Sequence, residues 1–201
     1  MRFRALTAVS ALTALTLLGA VPAAQAAGPS APAANTEAWV QKPAPARGQA
    51  ANAAHTEAAA SGATLQNAHV LCYQSHSRKA GWTASLCTDG SPGFTGTTGQ
   101  SDPIDRVMFT VYGDLDFNVQ LHWSIDGTGL DRHVVPNTSV EVYNVNGNPL
   151  EAIRLRSTNE TMKAAAHVQN VGWKGTNLWS YDQWIGSMGE NRWMEAFWVA
   201  I

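Results

Sequence analysis

HVQNVGW at residues 167–173, followed by GSMGENRWMEAFWV at 186–199, is the best-preserved copy of a unit that occurs three times in this chain. His76, His122 and His167 recur at a period of about 45 residues, within the range of stacked supersecondary repeats. Each is followed five positions later by a glycine, at Gly81, Gly127 and Gly172, and Trp82 and Trp173 come next in the first and third copies. Each of these two copies then carries a Gly-x-x-Gly loop, Gly96-Thr97-Thr98-Gly99 and Gly186-Ser187-Met188-Gly189, with an acid six positions beyond it at Asp105 and Glu195. The middle copy keeps Leu150-Glu151-Ala152-Ile153 but has Thr128 in place of the tryptophan and no Gly-x-x-Gly. Three divergent copies of one unit point to a closed module built for binding, because repetition multiplies surfaces more readily than it builds one asymmetric catalytic centre.

The acids open strand-like runs. Asp105-Val107-Phe109-Val111, Glu151-Ile153-Leu155 and Glu195-Phe197-Val199 place large apolar residues at every second position, the period of a strand with one buried face. Arg106, Met108, Thr110, Arg154, Arg156 and Trp198 fall on the opposite face and are expected to point outward. Further runs at 118–123, 140–143 and 168–171 are separated by Asp89-Gly90, Asp126-Gly127 and Asn146-Gly147, which mark turns. The expected fold is all-β: a single pseudo-threefold domain over residues 68–201, β-trefoil or β-prism-like, with a two-sheet sandwich as the alternative.

These residues resemble the clostridial hydrophobic-W (ChW) repeat family, whose unit joins a His-Val strand, a Gly-Trp, a Gly-Thr-x-Gly loop and an Arg-x-Glu-Ala-Ile strand. The third copy, His167 to Val199, matches best; the first has Asp105-Arg106-Val107 where the family has Glu-Ala-Ile, and the second keeps His122 and the Glu151 segment. The likeness spans about residues 70 to 201. It implies a secreted, non-catalytic module for adhesion or assembly outside the cell, and it fixes no ligand.

Residues 1–26 read as a signal peptide: Arg2 and Arg4, an apolar run from Ala5 to Val21, then Ala24-Gln25-Ala26. Export makes the protein extracellular and lets Cys72 and Cys87 close a disulfide; free thiols or a metal pair are the alternatives, and neither cysteine sits in a C-x-x-C pair. No later apolar run reaches the roughly 18 residues of a membrane span. Losing two of the 13 basic residues with the signal leaves 11 against 15 acidic ones, which excludes a nucleic-acid footprint. Residues 27–67 are rich in Ala, Pro, Gly, Asn and Thr and read as a flexible tail, in which Trp39 and Val40 are the expected anchor for a partner.

Two readings compete for Trp82 and Trp173: platforms on which a sugar ring stacks, or aromatics wedged into the core between repeats, the reading adopted. Trp179, Trp184, Trp193 and Trp198 crowd the last repeat beyond the needs of one core layer, so an exposed partner-binding patch is expected there, with Trp179, Trp184 and Trp198 as its members. The three histidines show no carboxylate at a fixed offset and are assigned to backbone bonds within their own repeats, with no metal; Asp105, Glu151 and Glu195 are assigned to N–H groups of the preceding turn. There is no G-x-S-x-G, H-E-x-x-H or P-loop signature, so neither catalytic residues nor a cofactor are assigned. The expected function is a non-catalytic adaptor joining other secreted proteins, as in an antibacterial particle, with a lectin-like module for cell-wall or environmental polysaccharide as the alternative.

Overall fold

The computed structural model describes residues 36–45, 69–89 and 93–201, and the regular elements within them are strands, with no helix. The expected signal segment, and the expected tail apart from 36–45, lie outside the described residues. Strand β1 (Glu37–Pro43) precedes the repeats. The first repeat contributes β2 (Val70–Ser77), β3 (Gly81–Trp82), β4 (Leu86–Cys87), β5 (Thr95–Gly96) and β6 (Ile104–Tyr112). The second contributes β7 (Phe117–Trp123), β8 (Gly127–Thr128), β9 (Arg132–Val134), β10 (Thr138–Asn144) and β11 (Leu150–Ser157). The third contributes β12 (Lys163–Val168), β13 (Gly172–Gly175), β14 (Asp182–Gly186) and β15 (Met194–Ala200).

These strands form three antiparallel sheets where a sandwich would have two. Their orders are β1-β10-β6-β2-β3 with β4 also on β2, β14-β11-β7-β8 with β9 also on β7, and β13-β12-β15-β5. Each sheet takes its histidine strand, acid strand and Gly-Trp or Gly-Thr hairpin from one repeat and borrows a strand from another. The first repeat lends β5 to β15 of the third, the third lends β14 to β11 of the second, and the second lends β10 to β6 of the first. The lending runs in a closed circuit, so no repeat completes its sheet alone.

The period-2 pattern explains why. Val107, Phe109 and Val111, Ile153 and Leu155, and Phe197 and Val199 alternate inward, and all belong to one buried cluster shared by the three sheets. Phe109 of the first repeat joins the others, 5.4 Å from Phe117 of the second and 6.1 Å from Phe197 of the third between ring centroids. Burying such a ring stabilises the fold by about 1.5–3 kcal/mol. Tyr73 adds a polar tie, donating its hydroxyl hydrogen to the backbone oxygens of Gly93 and Val199, both at 3.1 Å.

Cys72 and Cys87 are joined in a disulfide, linking β2 to β4 on the far face of the first sheet. Val70, Tyr112 and Ala44 pack beside it in a smaller cluster.

The tail expectation fails at residues 37–43. β1 pairs with β10 from Glu37 opposite Asn144 to Pro43 opposite Thr138, and Trp39 packs on the main core with the Arg132 guanidinium 5.8 Å from its ring. Glu37 is buried, and its Oε1 accepts the Trp123 indole N–H at 3.1 Å. Burial pushes the Glu37 carboxyl up, against the pull of the Trp123 N–H and the Arg132 charge. Counting apolar residues missed this strand because backbone pairing and one buried polar anchor hold it.

Reduction of the Cys72–Cys87 bridge, whose partners are 15 residues apart, should lower the unfolding free energy by about 3 kcal/mol and speed amide exchange in β2 more than in β12. Denaturant unfolding with and without reductant, read alongside hydrogen exchange, checks both; coincident curves would refute the expectation.

Candidate functional site

In each repeat the acid occupies a β-bulge. The register slips by one residue between Ile104 and Arg106 on β6, between Leu150 and Ala152 on β11, and between Met194 and Ala196 on β15. The extra residues are Asp105, Glu151 and Glu195, and a bulge re-aims its side chain relative to the pleat. Each is thereby brought to the histidine of the adjacent strand. His76 Nδ1 lies 2.6 Å from Asp105 Oδ1, His167 Nδ1 lies 3.0 Å from Glu195 Oε2, and His122 Nε2 lies 3.5 Å from Glu151 Oε2. The assignment of the histidines to their own backbones is therefore corrected: the histidine and the acid lie 28 or 29 positions apart in all three repeats.

The carboxylates do accept backbone N–H groups, but from another repeat and not from the preceding turn. Gly99 N donates to Glu195 Oε2 at 3.0 Å, and Gly189 N donates to Glu151 Oε2 at 2.9 Å. Thr97 N and Ser187 N donate to the main-chain oxygens of the same glutamates, at 2.9 and 3.0 Å. Approach this close requires glycine: a Cβ on Gly96 or Gly186 would lie 2.2 Å from the Glu195 or Glu151 oxygen, and both have φ just above 100°. The Gly-x-x-Gly loop is thus a latch between repeats.

The second repeat lacks that latch. Tyr143 stands opposite Arg106 where Gly96 and Gly186 stand opposite Ala196 and Ala152. The next residue, Asn144, gathers the loop's own N–H groups: its Oδ1 accepts from Asn146 N at 2.9 Å and Asn148 N at 3.3 Å. Asp126, in the neighbouring hairpin, accepts from the side-chain amides of Asn144 at 2.7 Å and Asn148 at 2.8 Å. Burial opposes ionisation of Asp126, yet these amides hold its carboxyl below the ordinary range. Among the described residues the Asp105 carboxylate meets His76 alone.

The hairpins next to the histidines turn at Gly81 (φ 75°), Gly127 (φ 77°) and Gly172 (φ 91°). They carry Trp82 and Trp173 to the surface, 41% and 45% exposed, which corrects the expected wedge between repeats. Each ring meets its histidine edge-on, with centroids 5.3 and 5.5 Å apart. In the second repeat Thr128 stands in that place and its hydroxyl lies 2.7 Å from His122 Nδ1, so the imidazole turns Nε2 toward Glu151. Burial pushes the His122 imidazole down, with the Glu151 charge opposing.

The tryptophans of the third repeat divide. Trp179 is 53% exposed between β13 and β14, flanked by exposed Leu178 and Tyr181. Trp184 on β14 is half-buried opposite Arg154, and Trp198 on β15 is half-buried opposite Ala165. Phe94, which belongs to no repeat signature, lies exposed against Trp173 with centroids 5.5 Å apart. Trp39 and Val40 are engaged in β1. Among the described residues no three His, Cys, Asp or Glu side chains are grouped to hold a metal ion, and no helix is long and apolar enough to cross a membrane. Compared with protein-family models, curated proteins and solved structures, the chain gives no match.

Glu195→Gln and Glu151→Gln should each lower stability by about 1–3 kcal/mol by weakening a charge-assisted bond that joins two repeats. Chemical denaturation reads this directly, and unchanged midpoints would remove the latch from the account. A second expectation concerns acid. Folded His122 takes up a proton less readily than the unfolded residue, whose pKa is 6.5, so stability is lost as pH falls through that value and below. The melting temperature of His122→Gln should accordingly fall less between neutral and mildly acid pH than that of the wild type.

Proposed function

We propose that this protein is an extracellular, non-catalytic adaptor that joins other secreted proteins through the outer aromatic side of its third repeat. The observation that carries the reading is the exposure of Trp173, Leu178, Trp179 and Tyr181 within nine consecutive residues, with Phe94 against Trp173. Large apolar side chains left in water at this density mark an interaction surface, and Trp and Tyr are the residue types enriched at binding hot spots. The likeness to ChW repeats and the signal-like residues 1–26 support the same reading. Trp184 and Trp198 serve the sheets more than the interface, and Trp39 is committed to its own domain. The partner surface therefore centres on Trp179.

A photo-reactive residue at position 181 should cross-link to a reproducible set of secreted proteins in the producing organism's culture fluid, whereas one at exposed Ile125 should not. Against a partner so identified, Trp179→Ala should weaken binding by about tenfold or more. Equal cross-linking at both positions, or none at 181, would overturn the proposal.

A further inference from the structure

The circuit of latches is broken at one point, and the break leaves a site. In the third repeat Glu195 Oε2 is taken by Gly99 N as well as His167, and Trp173 is met by Phe94. In the second repeat Glu151 Oε2 is taken by Gly189 N, and the place of the tryptophan is filled by a threonine bonded to His122. The first repeat has the acid, the histidine and the tryptophan but receives no latch, because Asn144 has turned the N–H groups of the donor loop onto itself. The Asp105 side chain is 18% exposed against 2% for Glu195, and among the described residues its Oδ2 meets no protein donor. Among the described residues Trp82 has His76 as its single ring neighbour.

We infer that Trp82, His76 and Asp105 form a subsite for a neutral pyranose ring of an oligosaccharide. A pyranose presents an apolar C–H face beside hydroxyl groups, which matches an exposed indole met edge-on by an imidazole, and the carboxylate on the other side of that imidazole is placed for a hydroxyl further along the oligosaccharide. A peptide occupying the latch position is disfavoured by the pairing itself. β10 already fills the edge of β6, and β1 covers β10, so no further strand can add where β5 and β14 add in the other two sheets. The Asp105 carboxylate disfavours an acidic sugar, and its unused oxygen calls for a hydroxyl or amide donor. Nothing in this site belongs to the Trp179 surface, so the two readings stand or fall separately.

The test is titration of the exported chain with cellohexaose, N-acetylchitohexaose and mannohexaose, read by calorimetry and by the indole N–H resonances. At least one should bind with one site per chain and shift the Trp82 indole signal while leaving that of Trp179 in place. Trp82→Ala should weaken binding by about tenfold or more, and Asp105→Asn should weaken it as well, with Trp179→Ala unchanged. Failure of all three sugars to bind, affinity that survives loss of the Trp82 indole, or a response at Trp173 in place of Trp82 would each overturn the inference. The resonance measurement on the wild-type chain decides the matter even if a variant misfolds.

Discussion

A buried carboxylate shared between two repeats is the interaction on which this molecule depends. Glu195 and Glu151 are removed from water, which is costly for a charge unless donors replace the lost hydration. For Glu195 those donors are an imidazole from its own sheet and a glycine N–H from a different repeat, both converging on one oxygen. The arrangement works only if the acid sits in a bulge beside the histidine and the incoming loop has no Cβ at its point of closest approach. Bulge, histidine and Gly-x-x-Gly are therefore one device, and the strand lending that builds the three sheets carries it from repeat to repeat.

The loop that the second repeat lends to the first shows what replaces the Gly-x-x-Gly when it is lost. Asn144 satisfies the loop internally, Asp126 collects the amides of its neighbours, and β10, no longer carrying a latch, becomes the strand onto which β1 adds. Glu37 then reaches Trp123, tying that added strand back to the second repeat. Divergence here has not loosened the structure; it has substituted local amide networks for a shared carboxylate, and it has changed which polar groups face solvent.

Much of this was legible in the sequence. Alternation after each acid gave the inward faces, and the cysteine pair gave the bridge, because both are local in sequence. The donor to the acid is not legible there, because the group that meets Glu195 is Gly99 of another repeat, which no periodicity links to it. The histidine partner was nearer to hand: a constant separation of 28 or 29 residues was present in all three copies, but an offset that long reads as unrelated until the strands are known to be neighbours. The exposure of Trp82 and Trp173 was hidden because a glycine before a tryptophan fits a tight core contact as well as a hairpin turn. β1 was hidden because composition measures apolar surface and not backbone pairing.

The lending of β5 to β15 also sets an order in time. Gly96 pairs with Ala196, about a hundred residues downstream, so the loop of the first repeat finds the strand that holds it only when the chain of all three repeats is present. The first sheet draws on residues up to 144 and the second on residues up to 186, leaving the third, which retrieves a strand from the beginning of the domain, to close last. Until the final seven-residue strand is made, the earliest latch has no keeper. The circuit is thus sealed by β15, and a chain lacking that strand carries a loop in search of a partner.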